Sequence, residues 1–103
     1  MVGKVRMSGP TLKLLTLLME SPQESRSGAA ISKATGLGSG TMYPLLQRLE
    51  IAKWIEGKWE DVDPSEVGRP KRRFYKLTRS GQIEAMKVLT EFKISVRGVA
   101  AWT

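Results

Sequence analysis

The sequence predicts a mainly α domain carrying one small β-hairpin. Three observations lead there. Apolar residues recur at helical spacing in three stretches of the first half; two short aromatic and β-branched runs then flank a turn-rich segment; a last helical stretch follows. The 103 residues suit one domain, spanning 1–103, with a modest core.

Ser8, Gly9 and Pro10 open the first helix, because proline fits where a helix does not need the N–H. Leu12, Leu14, Leu15, Leu17, Leu18 and Met19 follow, a stripe wider than the roughly 100° of an ordinary surface helix. Cover from two sides is therefore expected, from the protomer's own core and from a second subunit. Ser21 and Pro22 end this helix. Ser27 is a good N-cap for a second, short helix that carries Ala30, Ile31 and Ala34 inward, and Gly36 is its stop. Gly38 and Gly40 bracket a tight turn into a third helix, with Met42, Leu45, Leu46, Leu49 and Ala52 on one face. Pro44 is expected in its first turn, where a missing donor does little harm. Two short helices joined by a glycine turn spell helix-turn-helix.

WIEGKWEDV and RRFYKLT then read as a two-stranded hairpin around the long loop DVDPSEVGRPK. Period-two alternation points Ile55 with Trp59, and Tyr75 with Leu77, toward the core. Thr78 caps a last helix expected to run to about Val99. In it Ala85, Leu89, Phe92, Val96 and Val99 repeat at spacings of 4, 3, 4 and 3, the rhythm of a helix pairing with another helix. The helix-turn-helix and hairpin thus occupy residues 8–78, and a last helix 79–100.

Seventeen Lys and Arg against ten Asp and Glu give a formal charge of +7, with no histidine and no cysteine. The missing residue types exclude disulfide scaffolds and the usual zinc and iron–sulfur sites, and leave catalysis without its commonest base and nucleophile. No catalytic residue, metal or cofactor is expected. The carboxylates Glu60, Asp61, Asp63 and Glu66 lie in a loop beside excess base, and GLGSG lacks the lysine and preceding strand of a phosphate loop. No run approaches the ~18 apolar residues of a membrane span and no signal peptide opens the chain, so a soluble, cytoplasmic protein with no membrane partner is expected.

The basic charge is local. Glu56, Glu60, Asp61, Asp63 and Glu66 fill the first half of the hairpin loop, and Arg69, Lys71, Arg72, Arg73, Lys76 and Arg79 follow without an acid among them. A Gly-Arg-Pro turn with cations at Arg69, Lys71, Arg72 and Arg73 suits phosphates. The plain alternative is a solvated loop whose cations pair with the preceding acids. On the third helix, the face opposite the leucines offers Thr41, Tyr43, Pro44, Gln47 and Arg48, preceded by Ser39. Hydroxyls and a helix N-terminus hold phosphate, Gln pairs with adenine, Arg with guanine, and a threonine methyl or proline ring packs on a thymine methyl. An ordinary amphipathic helix is the competing reading of that face; the adjacent basic loop favours recognition of double-stranded DNA.

The run SGTMYPLLQRLE, then WIEG, then GRPKRRFYKLTRSG resembles the PadR-like family of transcriptional regulators over about residues 27–85. That resemblance implies winged helix-turn-helix subunits, usually repressors, binding palindromic operators as homodimers. It places the helix 41–52 in the major groove and the 60–73 wing on backbone or minor groove. It also implies dimerisation through the first and last helices, here Leu14, Leu17, Leu18, Leu89, Phe92, Val96 and Val99. Unlike longer members, the chain is expected to lack a separate C-terminal sensing domain. Some short members bind flat aromatic molecules between subunits, and Met86, Phe92 and Trp102 are the side chains suited to such an effector. A rival from another class is a winged-helix protein–protein interaction module without sequence-specific DNA binding. RNA binding ranks lower, for want of an aromatic stacking platform.

Overall fold

The structure is a computed structural model and describes residues 5–94. Among the described residues, five helices and a three-stranded antiparallel sheet follow one another in the order α1 (Gly9–Glu20), β1 (Arg26–Ser27), α2 (Gly28–Thr35), α3 (Ser39–Ile51), β2 (Ile55–Trp59), α4 (Pro64–Val67), β3 (Arg73–Leu77) and α5 (Arg79–Glu91). The strands lie in the order β1-β3-β2. No helix among the described residues is long and apolar enough to cross a membrane.

Local side-chain chemistry starts three of the helices where the sequence indicates. Ser8 accepts from the Thr11 amide, Ser27 from Ala30 and Thr78 from Gly81, each filling one of the donors a helix start leaves free. Gly36 ends α2 in the left-handed conformation (φ 75°) that glycine adopts without strain. The helices converge on a core of Leu14, Leu15, Leu18, Ile31, Met42, Leu46, Leu49, Trp54, Ile55, Leu77 and Leu89. Gly81 presses so closely on the Trp54 carbonyl that a β-carbon there would lie 1.8 Å from its oxygen. This contact seats the start of α5 on the turn after α3.

Several expectations require correction. The hairpin is the larger part of a three-stranded sheet, because Arg26 and Ser27 pair with Tyr75 and Phe74. Within its loop a one-turn helix, α4, forms under an Asp63 cap. Trp59 is 63% exposed, not inward. It sits opposite Arg73 at the far end of the ladder, past Tyr75, so the face that buries Ile55 has left the core by that point. Ala30 and Ala34 are also exposed, leaving Ile31 as the α2 side chain that fills the core. Helix α3 begins at Ser39, which places Pro44 inside it, beyond the first turn. Pro44 has no N–H for the Gly40 carbonyl, and Gly40 contributes no side chain to crowd that bend. Helix α5 stops at Glu91, and residues 95–99 of the expected helix lie outside the described residues. Lys93 takes φ 57° and the Ile94 amide donates back to the Leu89 carbonyl at 2.8 Å, closing the helix with a lysine where glycine is usual.

Candidate nucleic-acid interface

Helix α3 divides cleanly. Met42, Leu45, Leu46 and Leu49 are buried, while Ser39, Thr41, Tyr43, Pro44, Gln47 and Arg48 are exposed. The sequence-predicted polar face is therefore the solvent face. Tyr43 lies across the start of α2, where Gly28 leaves it room: a β-carbon on Gly28 would stand 2.6 Å from the Tyr43 hydroxyl.

Beside this face, Ser27, Gly28, Ala29 and Tyr43 form a cleft of about 590 Å³ with Trp59, Tyr75 and the wing residues 69–73. One wall is the N-terminus of α2, whose dipole favours an anion. The opposite wall carries the basic run, but its cations are not equivalent.

Arg69 is committed to Glu60. Its two terminal nitrogens donate to the two carboxylate oxygens at 2.6 and 3.0 Å, a bidentate fork. The Arg72 amide also donates to Glu60, at 3.3 Å, and the Glu60 amide donates to the Arg72 carbonyl at 2.8 Å. The Arg69 guanidinium, joined by that amide, holds the Glu60 carboxyl at about 2, well below the usual carboxylate range, and Glu60 raises the Arg69 guanidinium in turn. Asp63 is lowered as well, by the Ser65 hydroxyl and amide it accepts from while capping α4.

Arg73 is committed to Glu50, donating at 2.6 Å, with its guanidinium 5.3 Å from the Trp59 ring centre and 5.9 Å from that of Tyr75. Burial raises the Tyr75 hydroxyl above its ordinary value, against the opposing effect of Arg73. Lys76 lies 3.9 Å from Glu56. Lys71, Arg72 and Arg79 are exposed and form no ion pair among the described residues. Of the four wing residues singled out from sequence, Lys71 and Arg72 are thus presented to solvent, and Arg69 and Arg73 brace the wing.

Sequence reading missed Trp59, Glu50 and the Ser27–Ala29 wall. The acid of each bracing pair stands 9 or 23 residues from its arginine, beyond any local spacing rule.

The residues assigned to a dimer interface fall into three groups. Leu14, Leu18 and Leu89 are fully or almost fully buried in the protomer's own core, so the 4-3 rhythm of α5 is used at least partly within one chain. Leu17 is half-buried and lines a groove of about 520 Å³ with Leu12, Thr16, Ala34 and Ile94. Phe92 is exposed, as is Met86, and neither borders that groove. Val96, Val99 and Trp102 lie outside the described residues.

A helix-turn-helix followed by a β-wing, with Tyr43 of its second helix lining the same cleft as the wing, defines a winged helix-turn-helix protein. Residues 15–87 match the model of the transcriptional regulator PadR-like family, and the chain belongs to that family. No curated protein sequence matches it. Among solved structures it is similar to a PadR-like transcription factor from Bacteroides fragilis, at 24% identity and a TM-score of 0.67, covering 82% of each chain. A PadR family regulator from Clostridium difficile R20291 is similar at 24% identity and a TM-score of 0.65, over 82% of this chain and 88% of that one. Disulfide-formed AbfR is similar at 22% identity and a TM-score of 0.68, over 84% of this chain. The chain spans 58% of the AbfR chain's length. At these identities the likeness is one of fold.

Proposed function

We propose that this regulator binds double-stranded DNA sequence-specifically as a homodimeric repressor on a palindromic operator. Helix α3 enters the major groove and the wing, residues 60–73, meets backbone or minor groove. One observation carries the reading: the cleft joins Tyr43 on the exposed face of α3, the N-terminus of α2 and the unpaired wing cations Lys71 and Arg72. Polar groups suited to base edges thereby stand next to cations suited to phosphates, the division of labour in which phosphate contacts position and base contacts specify.

The dimer reading draws on the family and on the half-buried Leu12 and Leu17 beside Ile94, which leave an apolar strip on α1. Selection from random duplex pools followed by sequencing tests both parts. The expected result is a palindromic consensus with half-sites about one helical turn apart. Enrichment of no motif, with a protein partner co-purifying instead, favours an interaction module.

A further inference from the structure

Arg73, at the start of β3, lines the cleft and reaches Glu50 near the end of α3, a group far from it in sequence. Their charges meet at 2.6 Å. The arginine is enclosed on other sides too. Trp59, its partner across the ladder, lies 5.3 Å from the guanidinium, and the Tyr75 ring lies 5.9 Å away. Gly57 supplies the space beneath: a β-carbon there would stand 2.7 Å from the Arg73 Nε and 2.8 Å from a terminal nitrogen. The Arg73 side chain is 27% exposed, whereas Lys71 and Arg72 project into solvent. A guanidinium that donates to a carboxylate and lies over two aromatic rings has less left to offer a phosphate than the exposed Lys71 and Arg72.

Taking the DNA-binding reading above as given, we infer that Arg73 is a positioning residue and not a phosphate contact. The Glu50–Arg73 pair, covered by Trp59, locks the wing to the recognition helix. Helix α3 and the free cations Lys71 and Arg72 then meet one duplex in a fixed register. The pair links a helix to a strand, so loosening it changes the angle between the two DNA-reading parts without removing either.

The sign of one substitution separates this from simple electrostatics. Glu50 is an acid beside a polyanion, so on charge alone Glu50→Gln strengthens binding. Through the lock it weakens binding to the selected duplex.

The test measures affinities of wild type, Glu50→Gln, Arg73→Gln and the double variant for the selected duplex and for an unrelated one, across a salt range. Each single variant is expected to lose about 10-fold on the selected duplex, and the double variant to lose no more than either single, because coupled residues are not additive. Arg73→Gln is expected to keep the wild-type salt slope. Glu50→Gln binding the selected duplex as tightly as wild type, or Arg73→Gln lowering the slope by about 1 per protomer, overturns the lock.

A DNA-free measurement keeps the two ideas separate. The Trp59 indole resonance, assigned through Trp59→Phe, is expected to move in Glu50→Gln while thermal melting stays cooperative. An indole signal that does not move overturns the lock whether or not any duplex is bound. Wild type selecting no duplex refutes the proposed function by itself, and the indole shift still decides the lock.

Discussion

The cations of the wing divide into bracing and free, and the salt dependence of DNA binding measures that division. Arg72 makes no ion pair among the described residues, whereas Arg69 is bound at both nitrogens by Glu60. Each phosphate contact contributes about 0.9 to the slope of log affinity against log salt, so in the proposed dimer, with two wings, Arg72→Ala lowers the slope by about 1.8. Over a fourfold rise in salt, from about 50 to about 200 mM, wild type then loses roughly 12-fold more affinity than the variant. The control removes the brace at constant net charge. Glu60→Gln combined with Arg69→Gln deletes a pair that presents no free cation, so affinity falls as the wing loosens while the slope stays at the wild-type value. Fluorescence anisotropy on the selected duplex at five or six salt concentrations, about evenly spaced in log units, resolves a slope change of this size. Equal slope changes from Arg72→Ala and the double variant would show that the ion pair opens on DNA. The distinction between brace and contact would then be wrong.

Further outcomes test the fold that supports the wing. Gly81→Ala places a β-carbon 1.8 Å from the Trp54 carbonyl oxygen, a backbone atom that cannot rotate aside. The expected loss exceeds about 4 kcal/mol in urea unfolding, and a variant that unfolds near the wild-type midpoint contradicts the contact. Thr78→Val keeps the β-branched shape but removes the hydroxyl that accepts from Gly81 at 2.9 Å and donates to Lys53 at 2.7 Å, costing about 1–2 kcal/mol in the same assay. Glu60, held at about 2 in the folded chain against an ordinary 4.5, contributes stability that is present above 4.5 and is lost as pH falls toward 2. The stability gap between wild type and Glu60→Gln therefore closes across that window; a gap unchanged down to pH 2 contradicts the clamp.

What was legible in the sequence was local. Ser8, Ser27 and Thr78 cap helices through hydroxyls within three residues of the amides they hold, and Gly36 ends α2 through its own freedom at positive φ. The inward face of α3 follows from the spacing of four apolar residues. Features set by distant partners were not legible. Two residues, Arg26 and Ser27, are too few to show a strand pattern and become one only because β3 offers an open edge. Lys53 and Lys93 end helices at positive φ, where no residue type signals a stop. The alternation that buries Ile55 was carried on to Trp59, although period two says which way a side chain points and not how far the core extends.

Charge shows the same division with a functional consequence. The segment Arg69–Arg79 holds six cations and no acid, leaving eleven cations against ten acids elsewhere, so a count alone makes this segment, from the end of the wing loop through β3, the seat of nearly all the net charge. The count is right, but it treats every cation as available. Three of the six, Arg69, Arg73 and Lys76, face acids drawn from α3, β2 and the wing loop. Those acids reduce the charge open to a phosphate, and in return they give the loop a defined shape around the cations that stay exposed. Six free cations in this segment would bind duplexes strongly and with little regard to sequence, because backbone attraction carries almost no sequence information. A braced wing has a weaker hold on the backbone, and more of its discrimination rests on α3. Under the proposed function, the acids that dilute the basic patch are part of what would make recognition specific.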